Sequence, residues 1–377
     1  MRTYFITRLV FVSVCLFMAR VASFAQTSPA HIGLVYPLSS NGKNAAAYTN
    51  HFSLHVIAGV SKAETGVAVS GISNIIKENA TGVQVASFSN HIGSTQKSAT
   101  IAGFMNKVRK RGEGAQIAGF LNMDESFGGC QVAGFGNMVS QHVEGVQLAG
   151  FLNIARSNDK LQLAGFGNMV EKSAGVQVAG FMNKATDAGT QVGGFINIAK
   201  KVKGAQVAGF INIADSSEYP IGIINIIKGG EKQVSVSIDE TATMIAAFKS
   251  GGRALYGIIG FGYNLKNSDF SPLYAAKAGI GWHLQLLPQF RINAEATSTM
   301  LTDFKTADYH RQTLGIFPAW RFAHRMEVYA GPTFNYLQTK GGLGEDLRKN
   351  YIWTRNADHD RFRAGYIGGE AGVAFSF

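Results

Sequence analysis

Gly145-Val-Gln-Leu-Ala-Gly-Phe-Leu-Asn-Ile-Ala155 is the stretch on which the fold turns, because the chain repeats it. Close copies begin at Gly114, Gly175 and Gly204, and degenerate ones near Gly66 and Gly82. The asparagine marks the register: Asn74, Asn90, Asn106, Asn122, Asn137, Asn153, Asn168, Asn183, Asn197, Asn212 and Asn225, at spacings of 13 to 16 residues. Length changes fall mainly in the polar stretches between copies, such as Arg109-Lys110-Arg111 and Ser157-Asn158-Asp159. Turns between fixed strands vary in this way, and self-similarity at a steady period is the mark of a repeat architecture.

Within one copy the residues alternate with period two, as in a strand. Val146, Leu148, Gly150, Leu152 and Ile154 share a face that is apolar but variable; Gln147, Ala149, Phe151, Asn153 and Ala155 share one that hardly changes between copies. A constant face predicts like-on-like stacking. The residues expected to carry it are Phe120, Asn122, Phe135, Asn137, Phe151, Asn153, Phe166, Asn168, Phe181 and Asn183. The rings would form one buried column, each worth about 1.5–3 kcal/mol, so that Phe151→Ala would cost about 3–5 kcal/mol. The amides would form hydrogen-bonded ladders as in cross-β stacks.

Two all-β architectures meet these facts. In a β-solenoid each unit of about 15 residues is one coil, stacked in parallel, and the glycine before each phenylalanine makes a tight bend. In an antiparallel meander each unit is one strand of a large barrel of roughly 18 or more strands, with the variable apolar face toward lipid. A meander should show odd–even differences, since its two ends face different compartments. The units and spacings show no clear alternation, which favours the solenoid.

Outward from the repeat, residues 26–65 read as a lead-in and cap, 66–228 as the array, and 229–377 as a region of different character. Residues 1–25 read as a secretory signal: Arg2 and Arg8 precede an apolar stretch from Leu9 to Met18, and Ser23 and Ala25 suit a cleavage site. Cys15 has no small residue before it, so a lipid anchor there is not expected. Cleavage would take Arg2, Arg8 and Arg20 from a formal charge of +11, leaving +8, and would leave Cys130 as a single thiol with no redox role. In the whole chain of 377 residues, 16% are charged. That is low against the quarter or so of an ordinary soluble domain.

After Gly230 clean alternation continues without the repeat. Tyr274, Ala276, Ala278, Ile280, Trp282, Leu284 and Leu286 oppose Lys277, His283 and Gln285; Phe290, Ile292, Ala294 and Ala296 oppose Arg291, Asn293, Glu295 and Thr297. Apolar-out, polar-in strands with aromatics near their ends are the outer-membrane barrel pattern, and an exported soluble β-sandwich is the alternative. Strands are expected near 232–249, 253–264, 272–287, 290–304, 310–322, 326–339 and 361–377, with 218–228 available as an eighth. Bacterial barrels favour even numbers. Parity then sets topology: with eight strands and a periplasmic C-terminus the array is periplasmic, and with seven it lies outside. Phe377 resembles the terminal aromatic that signals membrane insertion of such barrels.

The signal, the G-x-Q-x-A-G-F-x-N-x-A units, the opening Tyr36-Pro37-Leu38-Ser39-Ser40-Asn41-Gly42 and the Phe-ended tail together resemble a family of exported tandem-repeat proteins. That family is common in Bacteroidetes, with related surface repeats in spirochaetes. The resemblance covers most of the chain. It implies a cell-envelope location and transfers no catalytic residue. The Tyr219-Pro220 unit departs from the pattern by lacking both Gln and Phe, as a terminal repeat would.

Chemistry is thinly signalled. Asp358-His359-Asp360 is the best metal-like cluster and reads first as a polar loop; His310 and His324 read as surface residues. No HExxH, CxxC or G-x-S-x-G motif occurs. His283 is the one anchor for a barrel hydrolase. No cofactor or metal is expected, and no enzyme. The basic runs Lys107–Arg111 and Lys200–Lys203 admit envelope polysaccharide or other polyanions as partners, but acids share the same turns. Nucleic acid is not expected for an exported chain without a recognition motif. The reading is a non-enzymatic outer-membrane or cell-surface protein with structural or interaction roles, whose partners are outer-membrane lipid and envelope polysaccharide or proteins. A porin-like channel is the alternative.

Overall fold

The computed structural model describes residues 26–252, 254–266, 273–304, 309–323, 325–340, 344–357 and 361–377. The chain divides into two compact units, with the boundary between Glu125 and Ser126. Counted over both, it carries a parallel β-solenoid of about 12 turns and a closed antiparallel barrel of 8 strands.

In the first unit the strands Gln26–Val35, Tyr48–Ser61, Ser73–Ala86, Ser89–Ala102 and Met105–Ala118 belong to successive coils. Each pairs in parallel with the equivalent strand one coil on, and Asn74, Asn90 and Asn106 fall in register. Within residues 26–65, Gln26–Val35 and Tyr48–Ser61 already stack as coil, Gln26 pairing with Tyr48 and Thr49 with Ala63, while Leu38–Ser39 pairs antiparallel and Gly42–Ala47 forms a 3-10 turn between them.

In the second unit each coil is made of two arms. The arm carrying Gln-x-Ala and the arm carrying Asn-x-Ala meet at the Gly-Phe corner. Leu161–Ala164 pairs with Val176–Ala179, and Leu152–Ala155 with Gly167–Val170. The register runs unbroken through Asn153, Asn168, Asn183, Asn197, Asn212 and Asn225. Coils, not meander strands, explain the repeat, so the large single barrel is set aside. The corner glycine is needed for close approach: a Cβ on Gly165 would lie 2.1 Å from the carbonyl oxygen of Gly150 in the coil before. Beside the amides, small apolar residues such as Val143, Ala155, Val170 and Ala174 fill the interior.

The barrel strands are Glu231–Asp239, Thr243–Gly251, Leu255–Asn264, Tyr274–Leu287, Phe290–Thr302, Tyr309–Ala323, Met326–Lys340 and Arg361–Ser376. Each pairs antiparallel with the next, and Val236 opposite Val373 closes the ring. The eighth strand comes from a place the sequence reading missed. The stretch expected as one strand over 232–249 is a hairpin, turned at Glu240–Ala242 with Ala242 at φ 58°. Residues 218–228 are the last solenoid coil instead, with Asn225 opposite Asn212. A short strand, Trp353–Ala357, pairs alongside Arg361–Gly365.

Alternation fixes what each barrel face holds. Along Tyr309–Ala323, Arg311, Thr313 and Phe317 are buried while Leu314, Ile316 and Trp320 are exposed. Side chains of an eight-stranded barrel are just large enough to fill its interior. Here Tyr256, Tyr309, Tyr329, Tyr366, Phe317 and Arg311 do so, each no more than 4% exposed.

Candidate functional site

Three features stand out: the ladders of the array, the charged interior of the barrel, and a polar cluster in the first coils. In the second unit every ladder asparagine is fully buried, and each one before Asn225 donates forward. Asn153 Nδ2 reaches Asn168 Oδ1 at 2.9 Å, and the same bond links Asn168 to Asn183, Asn183 to Asn197 and Asn212 to Asn225. Each amide also donates to a carbonyl, as Asn168 does to Val178 at 2.8 Å. The glutamines run the other way: Gln162 donates to Gln147 at 2.8 Å and Gln177 to Gln162 at 3.0 Å. Two chains of amide dipoles thus run in opposite senses, each polarising its own members.

The ladders end differently. Pro220 takes the position after Gln206, and Gln206 Oε1 has no donor among the described residues. Asn225 instead finds the barrel: its N–H donates to Ser250 Oγ at 2.9 Å and its Nδ2 to the Ser250 carbonyl at 3.1 Å. Small residues make that contact possible. Gly257 lies between inward-facing Tyr256 and Ile258, so its outward side is bare, and a Cβ there would sit 2.1 Å from Gly222 O. The last coil is therefore seated on the outer wall of the barrel.

The phenylalanines stack but are not buried. Rings 135, 151, 166, 181, 195 and 210 follow one another at 4.8–5.2 Å between centroids, near parallel. In the first unit Phe88, Phe104 and Phe120 do the same at 4.9 Å. Yet Phe151 is 40% exposed and Phe166 37%. The chain bends at Gly-Phe, which breaks the two-residue phase and turns the ring outward while Asn153, two residues on, returns inside. Constancy came from stacking on an outer corner, not from burial in a core.

Inside the barrel, charges pair with one another. Lys277 Nζ meets both Glu370 oxygens at 2.8 and 2.9 Å. Lys249 Nζ meets Glu295 Oε1 at 2.5 Å and lies 4.4 Å from the centre of the Tyr329 ring. Arg291 bridges Glu231 and Glu327 at 2.9 and 2.8 Å, and Arg311 bonds Asp239. His283 is part of this packing: its Nδ1 contacts Asn293 Oδ1 at 2.9 Å, its Nε2 lies 3.5 Å from Glu231, and its ring stacks on Tyr256 at 4.1 Å. Those are its partners among the described residues, and no serine hydroxyl is one of them.

The third feature carried no motif. In the first coils the register places His31 and Ser53 where later coils hold glutamine. His31 Nε2 contacts Ser39 Oγ at 2.9 Å and His55 Nε2 at 3.4 Å, while Asn50 and Ser53 donate to Glu64 at 3.0 and 2.8 Å. Burial pushes His55 down to about 4, with the adjacent His31 adding to it; burial also lowers His31. Burial raises the Glu64 carboxyl against the hydrogen bonds it accepts. The missing signal was positional: polar residues in a column that is otherwise amide.

The remaining sequence candidates are placed as follows. His310 is exposed on the outer barrel face. Phe377 is 63% exposed, with its N–H on the Lys232 carbonyl at 3.2 Å. Cys130 is a free, exposed thiol. The array turns satisfy their polar groups locally: His142 Nε2 lies 3.1 Å from Asp159, and Arg156 pairs with Glu171 at 3.7 Å. Residues 1–25, His324 and Asp358-His359-Asp360 lie outside the described residues. Among the described residues no group of three or more His, Cys, Asp or Glu is placed to hold a metal.

No protein-family model matches the chain, and no curated protein matches it.

Proposed function

We propose that this chain is an exported, non-enzymatic outer-membrane protein in which the barrel is an anchor and the solenoid a scaffold held beside it. The observation that carries the reading is the inverted barrel. Lysine, arginine and glutamate pair inside, while Val236, Ile280, Trp282, Ile316, Trp320 and Ile367, each 45–59% exposed, stand outside. A soluble barrel would expose this apolar wall to water at a cost of about 25 cal/mol per Å²; hydrocarbon removes the cost. No described helix is long and apolar enough to cross a membrane; a closed barrel can cross with strands because all its backbone groups are paired.

Eight strands put residues 230 and 377 on the same end as the short turn at 288–289 and the start of Met326–Lys340. By the parity argument the array is then periplasmic. The packed interior supports an anchor over a conduit. The test is fractionation of cells expressing the full chain, followed by refolding of the purified protein into vesicles and electrophoresis with and without boiling. An outer-membrane protein whose folded band shifts on boiling is expected. A soluble periplasmic protein with no affinity for vesicles overturns the reading.

A further inference from the structure

The phenylalanine corner is exposed, regular and flanked by apolar residues. Leu163, Val176 and Val192, on the arm before it, are 37–44% exposed. In the second unit charge collects at the other turn of each coil, in Arg156, Glu171, Lys172, Asp187, Lys200 and Lys201; there Lys184 stands on the arm just past the corner, the register that Lys107 holds in the first unit. A continuous exposed apolar strip on a protein marks a contact surface.

The strip also has a defined end. In the last coil Ile221 pairs with Val207 and Ile224 with Ile211, so Ile223 takes the place of Gly209-Phe210 at the corner. Ile223 shares an apolar hollow of about 420 Å³ with Ile280, Leu314 and Phe334 on the outer barrel wall. The corner column Phe135–Phe210 therefore runs through Ile223 into the face that the anchor reading assigns to lipid.

We infer that the phenylalanine edge of the solenoid is a second membrane-contacting surface, lying against the same lipid as the barrel wall. The inference rests on the anchor reading above and adds to it where the array lies. Apolar faces with charge on the far side bind in the bilayer interface, and an edge continuous with a lipid-facing wall meets that interface without any movement of the array away from the barrel.

The test uses the full chain in phosphatidylcholine vesicles, with Cys130→Ser as background. Single spin-labelled cysteines are placed at Phe166, Leu163, Lys172 and Ile316, and collisions with oxygen, which partitions into lipid, are compared with those of a water-soluble nickel chelate. Labels at 166 and 163 should resemble 316, with an oxygen-to-nickel ratio several-fold above that at 172. Leu163 carries the test if the corner does not accept a cysteine. If 316 is lipid-exposed while 166 and 163 behave like 172, the inference falls and the anchor reading stands. If 316 itself is water-exposed, the anchor reading falls and takes the inference with it. Spin–spin broadening between copies at 166 would show a second molecule on the edge and overturn the inference.

Discussion

Solenoid and barrel both bury polar side chains, but by opposite rules. A parallel coil brings each residue onto its own copy. Only a group that donates and accepts at once can be buried in such a column, and the carboxamides of Asn and Gln meet that condition. Two stacked lysines or glutamates would repel. The barrel brings unlike residues together, so Lys277 can face Glu370 and Arg291 can face Glu327. Repetition selects self-complementary chemistry, and closure of an antiparallel sheet allows ion pairs. The comparison also bears on composition: among the described residues, charges gather in array turns, barrel interior and barrel loops, and few lie in the array's columns.

The largest effect should come from the barrel. Lys277→Met leaves Glu370 buried and unpaired, and should cost about 3–5 kcal/mol. Adding Glu370→Leu should recover most of it, because both charges are then gone. Urea unfolding of the vesicle-bound protein reads both; a double variant no better than the single one would mean that the pair shapes the barrel rather than merely cancelling charge.

The array should behave differently. Asn168→Ala orphans the Asn183 oxygen and the Val178 carbonyl, at about 1–3 kcal/mol for a buried group left unsatisfied. No single second-site change should rescue it, since the partners lie in both neighbouring coils. Rescue by one substitution at Asn183 would break the rule of self-complementarity.

Phe151→Ala should be milder than burial implies. With the ring 40% exposed but stacked on both sides, about 1–2 kcal/mol is expected from partial burial and aromatic contact. A measured cost of about 3–5 kcal/mol would instead put the ring in the core.

The smallest effect belongs to the first coils, where unlike residues meet as they do in the barrel. His55 is neutral in the fold, while the unfolded chain takes up its proton at the ordinary value of 6.5. Its contribution is full above pH 6.5 and falls as pH drops toward 4, because the unfolded state binds more protons there. His31 acts with the same sign. Glu64, raised from 4.5, acts oppositely: its contribution is present on the acid side and is lost as pH rises through its folded value. Hydrogen exchange in Tyr48–Ser61 should speed up between pH 6.5 and 4, beyond the intrinsic change in exchange chemistry. Protection that holds constant would place charged histidines inside the coil.

Much of this was written locally. The period of the asparagines gave coils, the lack of odd–even differences gave parallel stacking, and the Lys277/Ile280 alternation gave a polar-in barrel. Three things were not legible. The hairpin at Glu240–Ala242 was hidden because alternation on both sides of a tight turn reads as one long strand. The outward Phe was hidden because a constant residue looks the same whether it stacks in a core or on an edge. The His31–Glu64 cluster was hidden because its members come from three successive coils, and only register brings them together.

The sequence by itself determined the strand character, the period of the array and, away from the corners, the side on which alternating residues stand, since those follow from short-range geometry. Only the tertiary structure decided which residue turns a corner, where the count of strands becomes even, and how the array ends. Asn225 is identical to the ladder members before it, and nothing in its own repeat shows that its last bonds go to Ser250 of the barrel. Those outcomes depend on groups far apart in the chain, and a pattern of neighbours carries no record of them.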